Sequence, residues 1–174
     1  MKRSELEHII RAASAITLHQ EFVIIGSQAL LATNPDLPEQ FLVSVEADVY
    51  PKEKPEDSLL IDGAIGEGSA FHDTFGYYAH GVGPETATLP RGWADRLVPI
   101  RNANTHGATG WCLAPDDLAI SKLVAGREKD LPFVRRMIEQ ALTDTDRLRA
   151  RLASTDLSAD VRERCEQRLM GMKS

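Results

Sequence analysis

The feature that most constrains the fold is an apolar run of four residues, Phe-Val-Ile-Ile at 22–25, which stops abruptly at Gly26-Ser27. The run is too short for a helix, and its branched residues favour a buried strand. The residues at 28–33 include Ala and Leu, which are better helix formers. The pattern therefore predicts a strand, a turn and a helix, with Ser27 as the N-cap of the helix.

A second strand-like segment carries two acids at alternating positions. Residues 41–50 are mostly apolar, but Glu46 and Asp48 interrupt the pattern two residues apart. In an extended chain residues i and i+2 project from the same face, so we expect the two carboxylates side by side, facing the Gly-Ser turn. Two neighbouring anions repel each other unless a cation lies between them, so the pair suits a divalent metal ion. The alternative is an edge strand that shows its polar face to water.

The order and spacing of these motifs resemble a known signature. Gly26-Ser27 followed by Glu46-x-Asp48 resembles the Gly-Ser and Asp-x-Asp motifs of the polymerase-beta-like nucleotidyltransferase superfamily. The resemblance implies that Gly26 and Ser27 hold a phosphate of a nucleoside triphosphate, and that Glu46 and Asp48 bind Mg²⁺ or Mn²⁺. The sequence departs from the family pattern at Glu46, where the family usually has Asp.

A second block, at 115–130, extends the resemblance, which covers roughly residues 20–135. Its sequence, PDDLAISKLVAGREKD, is similar to the Lys and Asp motifs of minimal bacterial nucleotidyltransferases, including the abortive-infection toxins of toxin–antitoxin pairs. The resemblance implies that Lys122 contacts nucleotide phosphate and that Asp130 orients Lys122 or a substrate group. From the residues alone, Lys122 can also extend its ammonium to water, and Asp130 can cap the next helix.

Two arginines, Arg91 and Arg96, are further candidates for binding a triphosphate. They lie in LPRGWADR at 89–96, which resembles a segment of close relatives in this branch. A guanidinium fork matches phosphate oxygens, although a surface salt bridge is the ordinary alternative for each arginine. The superfamily often has a third carboxylate on a later strand. By residue type alone the candidates are Asp62, Asp73 and Asp95.

An aromatic segment with flanking histidines lies between these blocks. Residues 74–79, Thr-Phe-Gly-Tyr-Tyr-Ala, are aromatic enough for a strand near a ligand, and His80 follows them. Aromatic side chains there can stack on a base or pack in the core. His80, beside Gly81, is a candidate for substrate contact.

The patterns together predict an α/β (α+β) fold of the nucleotidyltransferase type. A small mixed sheet flanked by helices is expected from the segments at 22–25, 41–50 and 97–113. Pro99 predicts that its strand lies at a sheet edge, because proline cannot donate a ladder hydrogen bond. The helix-forming, densely charged end of the chain predicts a helical C-terminal appendage. We therefore divide the chain into a nucleotidyltransferase-like domain, 1–135, and the appendage, 136–174.

Composition narrows the classes of function. A formal net charge of −6 disfavours non-specific binding to nucleic acid, but it does not exclude a small phosphate-bearing ligand. No apolar stretch approaches the roughly 20 residues of a membrane span, and the opening residues lack the apolar core of a secretory signal. Cys112 and Cys165 lie in unrelated contexts and are expected to be free thiols. We expect a cytoplasmic protein without membrane contact.

Two functions follow from the resemblance. The first is transfer of a nucleoside monophosphate from an NTP to an acceptor hydroxyl, on a protein side chain, a tRNA end or a small molecule. The alternative is a binding or regulatory module that keeps the fold without the chemistry, as one half of a toxin–antitoxin pair with a cognate toxin or antitoxin as partner. Glu46 in place of Asp, the unassigned third acid and the negative net charge favour the alternative.

Overall fold

The computed structural model describes residues 1–172 and contains one five-stranded sheet. The strand order is β3-β2-β1-β5-β4. The strands are β1 (Glu21–Ile24), β2 (Glu46–Pro51), β3 (Tyr78–Gly81), β4 (Val98–Ile100) and β5 (Thr109–Cys112).

The sheet is mixed, which confirms the predicted fold class. β1 pairs antiparallel with β2 and parallel with β5, while β2 pairs parallel with β3 and β4 antiparallel with β5. Pro99 lies in β4, an edge strand, as its missing N–H predicts. The two acids stand at the N-terminal end of β2, on the inner part of the sheet.

The predicted strand at 41–50 is too long at its N-terminal end. Glu39–Phe41 forms a 3₁₀ turn, and the strand begins only at Glu46. The physical reason is the extent of the neighbouring strand. β3 begins at Tyr78, which pairs with Glu46, so the ladder between β2 and β3 starts at Glu46.

The prediction that Ser27 is a helix N-cap is wrong. The segment after the turn is a 3₁₀ helix, Ser27–Ala32, with Gly26 at the N-cap position. The Ala29 amide donates to the Gly26 carbonyl, 3.0 Å away, which closes the tight i→i+3 turn. Leu30 and Leu31 are fully buried, so core packing decides the geometry of this segment.

Three α-helices accompany the sheet: α1 (Arg3–Thr17), α2 (Ser58–Ile65) and α3 (Ala70–Phe75). α1 packs against α2 and β5, and α2 packs against β2 and β3. The apolar side chains between them are fully buried and form the core of this part of the molecule. They include Leu6, Ile9, Ile10, Phe22, Ile24 and Ile61.

Four helices follow the sheet: α4 (Pro115–Ala125), α5 (Asp130–Glu139), α6 (Thr145–Ala153) and α7 (Ala159–Met170). Pro115, the acids that follow it and Gly126 predict a helix from Pro115 to Ala125, and α4 has these bounds. It ends at Gly126 with φ +59°, a conformation that glycine adopts without strain. α4 packs against each of the other three helices. Cys165 in α7 is a buried free thiol, as is Cys112 in β5.

The chain divides into two compact units. The first comprises residues 1–86 and 97–113 and contains the whole sheet, and the second comprises residues 87–96 and the chain from 114 onward. The predicted domain boundary at 135/136 falls inside α5, because α4 packs with the C-terminal helices. Within residues 1–172 no helix is long and apolar enough to cross a membrane.

Candidate functional site

The Gly-Ser turn lies directly against Asp48. The Ile25 amide donates to the Asp48 carbonyl at 3.1 Å, which brings the end of β1 beside the acid in β2. A Cβ atom added to Gly26 would lie 3.0 Å from the Asp48 Cγ, so only glycine leaves room for the carboxylate. The Asp48 carboxylate therefore faces the turn.

Backbone donors are available at this turn. Within residues 1–172 the amides of Gly26, Ser27 and Gln28 donate to no backbone carbonyl of another element. Successive amides of this kind form a concave set of donors that suits an anion. Ser27 is partly exposed, so its hydroxyl can add a further donor.

The two acids project from the same face of β2, as the alternation predicts. Glu46 and Asp48 are half-buried, whereas Ala47 and Val49 are fully buried on the opposite face. The carboxylates are thus held at the surface of a rigid element whose other face is core.

Glu46 is bound by a tyrosine from the adjacent strand. Tyr78 lies opposite Glu46 in the parallel register, and its hydroxyl donates to Glu46 Oε2 at 3.1 Å. Burial, together with the negative charge of Glu46, raises the pKa of Tyr78 to about 12, so the phenol remains a donor at neutral pH. The His72 ring packs against the Tyr78 ring with centroids 4.6 Å apart.

Asp48 has the corresponding partner. His80 lies opposite Asp48, and its Nδ1 is 3.1 Å from Asp48 Oδ1. The His80 side chain is exposed, so this pair borders solvent. The sequence identified His80 as a candidate but not Tyr78. The two-residue spacing of Tyr78 and His80, which matches that of Glu46 and Asp48, is the signal that was available.

None of the three candidates for a third carboxylate lies on β3, the later strand that pairs with β2. Asp62 lies in α2 and accepts a hydrogen bond from the Gly81 amide at 3.1 Å, Asp73 is exposed on α3, and Asp95 belongs to the second unit. The β3 position beside Asp48 is occupied by His80.

In the second unit, Lys122 and Asp130 lie together. The Lys122 ammonium is 3.2 Å from Asp130 Oδ1 and 4.5 Å from the centre of the Phe133 ring. Asp130 is buried, and its other oxygen accepts from the Arg127 amide at 3.1 Å. Asp130 therefore forms an ion pair with Lys122, and its carboxylate does not cap the amides of α5.

The two arginines of the second unit differ in what they bind. Arg96 forms a two-pronged ion pair with Asp117, each N···O distance being 2.9 Å, and Asp117 is fully buried. Arg96 Nη2 also donates to the carbonyl of Arg91 at 3.1 Å. Arg91 itself is exposed, so its guanidinium is the more available of the two for a ligand.

Comparison with known proteins agrees with this arrangement of motifs. A family model described as a nucleotidyltransferase of unknown function (DUF6036) matches residues 4–173. The chain belongs to this nucleotidyltransferase family. Neither the curated proteins nor the solved structures contain a match to it. The predicted superfamily is thereby confirmed at the level of a nucleotidyltransferase, and the narrower abortive-infection or toxin–antitoxin branch stays a prediction.

The resemblance implies a divalent cation, for which Glu46 and Asp48 provide a donor set of limited size. Among residues 1–172 no group of three or more His, Cys, Asp or Glu side chains is arranged to hold a metal ion. Mg²⁺ does not require such a cage, because it is usually bound through one or two carboxylates together with substrate phosphates and water. The two adjacent carboxylates fit that mode of binding.

Proposed function

We propose that the protein is a metal-dependent nucleotidyltransferase that transfers a nucleoside monophosphate from an NTP to an acceptor hydroxyl. The acceptor oxygen attacks the α-phosphorus, the bond from that phosphorus to the leaving pyrophosphate breaks, and the hydroxyl proton is released. The observation that supports this most directly is the packing of Gly26 against Asp48, with Glu46 on the same face of β2. The acceptor belongs to a protein, a tRNA or a small molecule.

Each motif has a role in this proposal. Glu46 and Asp48 hold Mg²⁺ or Mn²⁺, which when bound stabilises negative charge on the phosphate oxygens. The amides of Gly26 and Ser27, with the Ser27 hydroxyl, donate hydrogen bonds to phosphate oxygens from a fixed backbone. For Lys122, in the second unit, the resemblance implies contact of the ammonium with a nucleotide phosphate.

Arg91 is the arginine that we propose for the triphosphate. Its side chain is exposed, whereas the Arg96 guanidinium is occupied by the buried carboxylate of Asp117. Releasing Arg96 to a ligand would leave Asp117 buried without its strongest partner, which is costly.

Calorimetry with the Mg²⁺ complexes of ATP, GTP, CTP and UTP tests the proposed function. We expect at least one nucleotide to bind, and binding to be lost when EDTA is added or when Asp48→Asn replaces the wild type. Asp73→Asn is the matched control, because it removes an exposed acid in the same unit. Absence of binding by every nucleotide, or full binding by Asp48→Asn, contradicts the proposal.

The second candidate is a nucleotidyltransferase fold that acts as a binding or regulatory module, as one half of a toxin–antitoxin pair. It is favoured by one observation, that each acid of β2 is already held by a β3 side chain. Co-expression with the product of the adjacent reading frame tests it. A stable complex formed without nucleotide, together with silent calorimetry, supports the module over the enzyme.

A further inference from the structure

β3 supplies one side chain to each carboxylate of β2. The parallel register places Tyr78 beside Glu46 and His80 beside Asp48, and each pair is joined by a contact of 3.1 Å. The two contacts involve Glu46 Oε2 and Asp48 Oδ1, so one oxygen of each carboxylate is fixed by the neighbouring strand.

We infer that Tyr78 and His80 are positioning residues for the two carboxylates, and that they set the affinity of the site for its divalent cation. The inference rests on the proposed function. Hydrogen bonds to the ligands of a metal orient those ligands, and their removal typically weakens metal binding by about 10–100-fold. These two residues are the β3 side chains in register with the acids.

The role of Tyr78 follows from the length of Glu46. Glutamate has one more rotatable bond than aspartate, so more conformational freedom is lost when its carboxylate is held in one place. The Tyr78 hydroxyl restricts Glu46 before any cation binds. This restriction allows Glu46 to serve at a position where the superfamily that the sequence resembles usually has the shorter aspartate.

Tyr78 is itself held in place by α3. The His72 ring packs on the Tyr78 ring, and His72 Nδ1 accepts a hydrogen bond from the Gly68 amide at 3.1 Å. The His72 amide donates to the Ser69 hydroxyl at 3.2 Å, which caps the helix. The tyrosine is therefore anchored between a capped helix and the acid, as a positioning residue requires.

If Tyr78 and His80 replaced a cation instead of positioning its ligands, the experiment would give the opposite change in cation affinity. If Tyr78 and His80 occupied the acids in place of a cation, their removal would free the carboxylates and strengthen cation binding. The direction of the change in Mn²⁺ affinity therefore decides between positioning and replacement.

The experiment measures binding of Mn²⁺ alone to the full chain, by calorimetry and by electron paramagnetic resonance, for Tyr78→Phe, His80→Ala and His80→Asn. We expect Tyr78→Phe and His80→Ala each to weaken Mn²⁺ binding by about tenfold or more. His80→Asn should recover most of the affinity, because the asparagine amide can donate from near the position of Nδ1.

Tyr77→Phe is the matched control. Tyr77 is the adjacent tyrosine, and its hydroxyl contacts His8 Nδ1 at 2.9 Å instead of either acid. We expect its Mn²⁺ affinity to equal that of the wild type. Thermal unfolding of each variant separates a loss of positioning, which leaves the melting temperature nearly unchanged, from a loss of folding.

The outcomes distinguish the inference from the function on which it rests. If the wild type binds Mn²⁺, and Tyr78→Phe and His80→Ala bind it as tightly or more tightly, the inference is overturned and the proposed function stands. A wild type that binds neither Mn²⁺ nor any nucleotide overturns the proposed function and the inference with it.

Discussion

Gly26 and Asp48 pack directly against each other, so the turn and the carboxylate hold each other in place. A methyl group on residue 26 would lie 3.0 Å from the Asp48 Cγ and 3.3 Å from its Cβ, inside normal contact distance. The glycine is required here by the approach of a side chain, since its own φ of −85° is accessible to any residue.

Gly26→Ala should therefore displace the Asp48 carboxylate. We expect the affinity for the Mg²⁺–nucleotide complex to fall by about tenfold or more, as when the orientation of a metal ligand is disturbed. The overpacking should also lower the free energy of unfolding by about 1–3 kcal/mol. Calorimetry and urea unfolding measure the two effects.

Gly63→Ala is the control for this substitution. Gly63 lies in α2, and a Cβ atom added there meets no other atom within 4 Å. We expect wild-type nucleotide binding and a stability gain of about 0.5–1 kcal/mol, because alanine is the better helix former. Nucleotide binding by Gly26→Ala at the wild-type level would show that Asp48 can move without consequence.

Lys122→Gln should weaken nucleotide binding by about tenfold, since a hydrogen bond to a charged group contributes about 1.5–3 kcal/mol. Lys129→Gln, at an exposed lysine next to Asp130, serves as the control and should bind as the wild type does. Calorimetry and thermal unfolding are compared for both variants. A lower melting temperature with unchanged nucleotide affinity would restrict Lys122 to its contacts with Asp130 and Phe133.

Asp117→Asn should lower the free energy of unfolding, measured by urea unfolding, by about 1.5–3 kcal/mol, the contribution of a hydrogen bond to a charged group. In the wild type the Arg96 guanidinium is held by two contacts of 2.9 Å to Asp117. The substitution removes this buried anion. Arg151, whose Nε is 3.6 Å from Asp117, loses the same partner. Asp95→Asn, at an exposed position in the turn that carries Arg96, should be close to neutral. Equal stability of the two variants would mean that the ion pair contributes nothing.

The stability of the first unit should depend on pH through His8. Burial, with a smaller effect from Arg11, lowers the pKa of His8 below its ordinary value of 6.5. Well above pH 6.5, the ordinary pKa, His8 is neutral in both states and contributes nothing to the pH dependence. As the pH falls towards the lower folded-state value, the unfolded chain takes up the proton first, so stability decreases.

His8→Phe should flatten this decrease, because phenylalanine retains the ring packing on Phe71 and Phe75 without a titrating nitrogen. Urea unfolding between about pH 5 and 8 gives the slope of stability against pH. An unchanged slope in His8→Phe would exclude His8 as the group responsible.

The sequence predicts most reliably those elements whose signals are local. α4 has its predicted bounds because Pro115, two acids in the first turn and Gly126 mark its ends within a few residues of chain. The start of β2 was misplaced because the extent of a strand depends on its partner, and the β3 ladder begins at the pair of Glu46 and Tyr78. The prediction that Ser27 caps a helix was wrong because the buried side chains of Leu30 and Leu31 determine the 3₁₀ geometry of this segment.

In the candidate site too, the residues predicted from the sequence are those with local signals. Glu46 and Asp48 were found because the side-chain alternation of a strand is a local property. Tyr78 was missed because only the register between β2 and β3 decides which of two adjacent tyrosines reaches Glu46. The Arg96–Asp117 pair joins residues far apart in the chain, so the sequence alone left Arg96 open to a ligand role.

The antiparallel pairing of β1 and β2 gives this fold a natural site of variation. Because the Ile25 amide bonds to the Asp48 carbonyl, the intervening segment at 26–45 leaves the sheet and returns to almost the same point. The entropic cost of a closed loop rises only slowly with its length, so residues can be inserted or deleted in the mostly exposed part at 33–40 while Gly26, Ser27 and both anchors stay fixed. This part of the chain can thus change in length without moving the turn or the two acids.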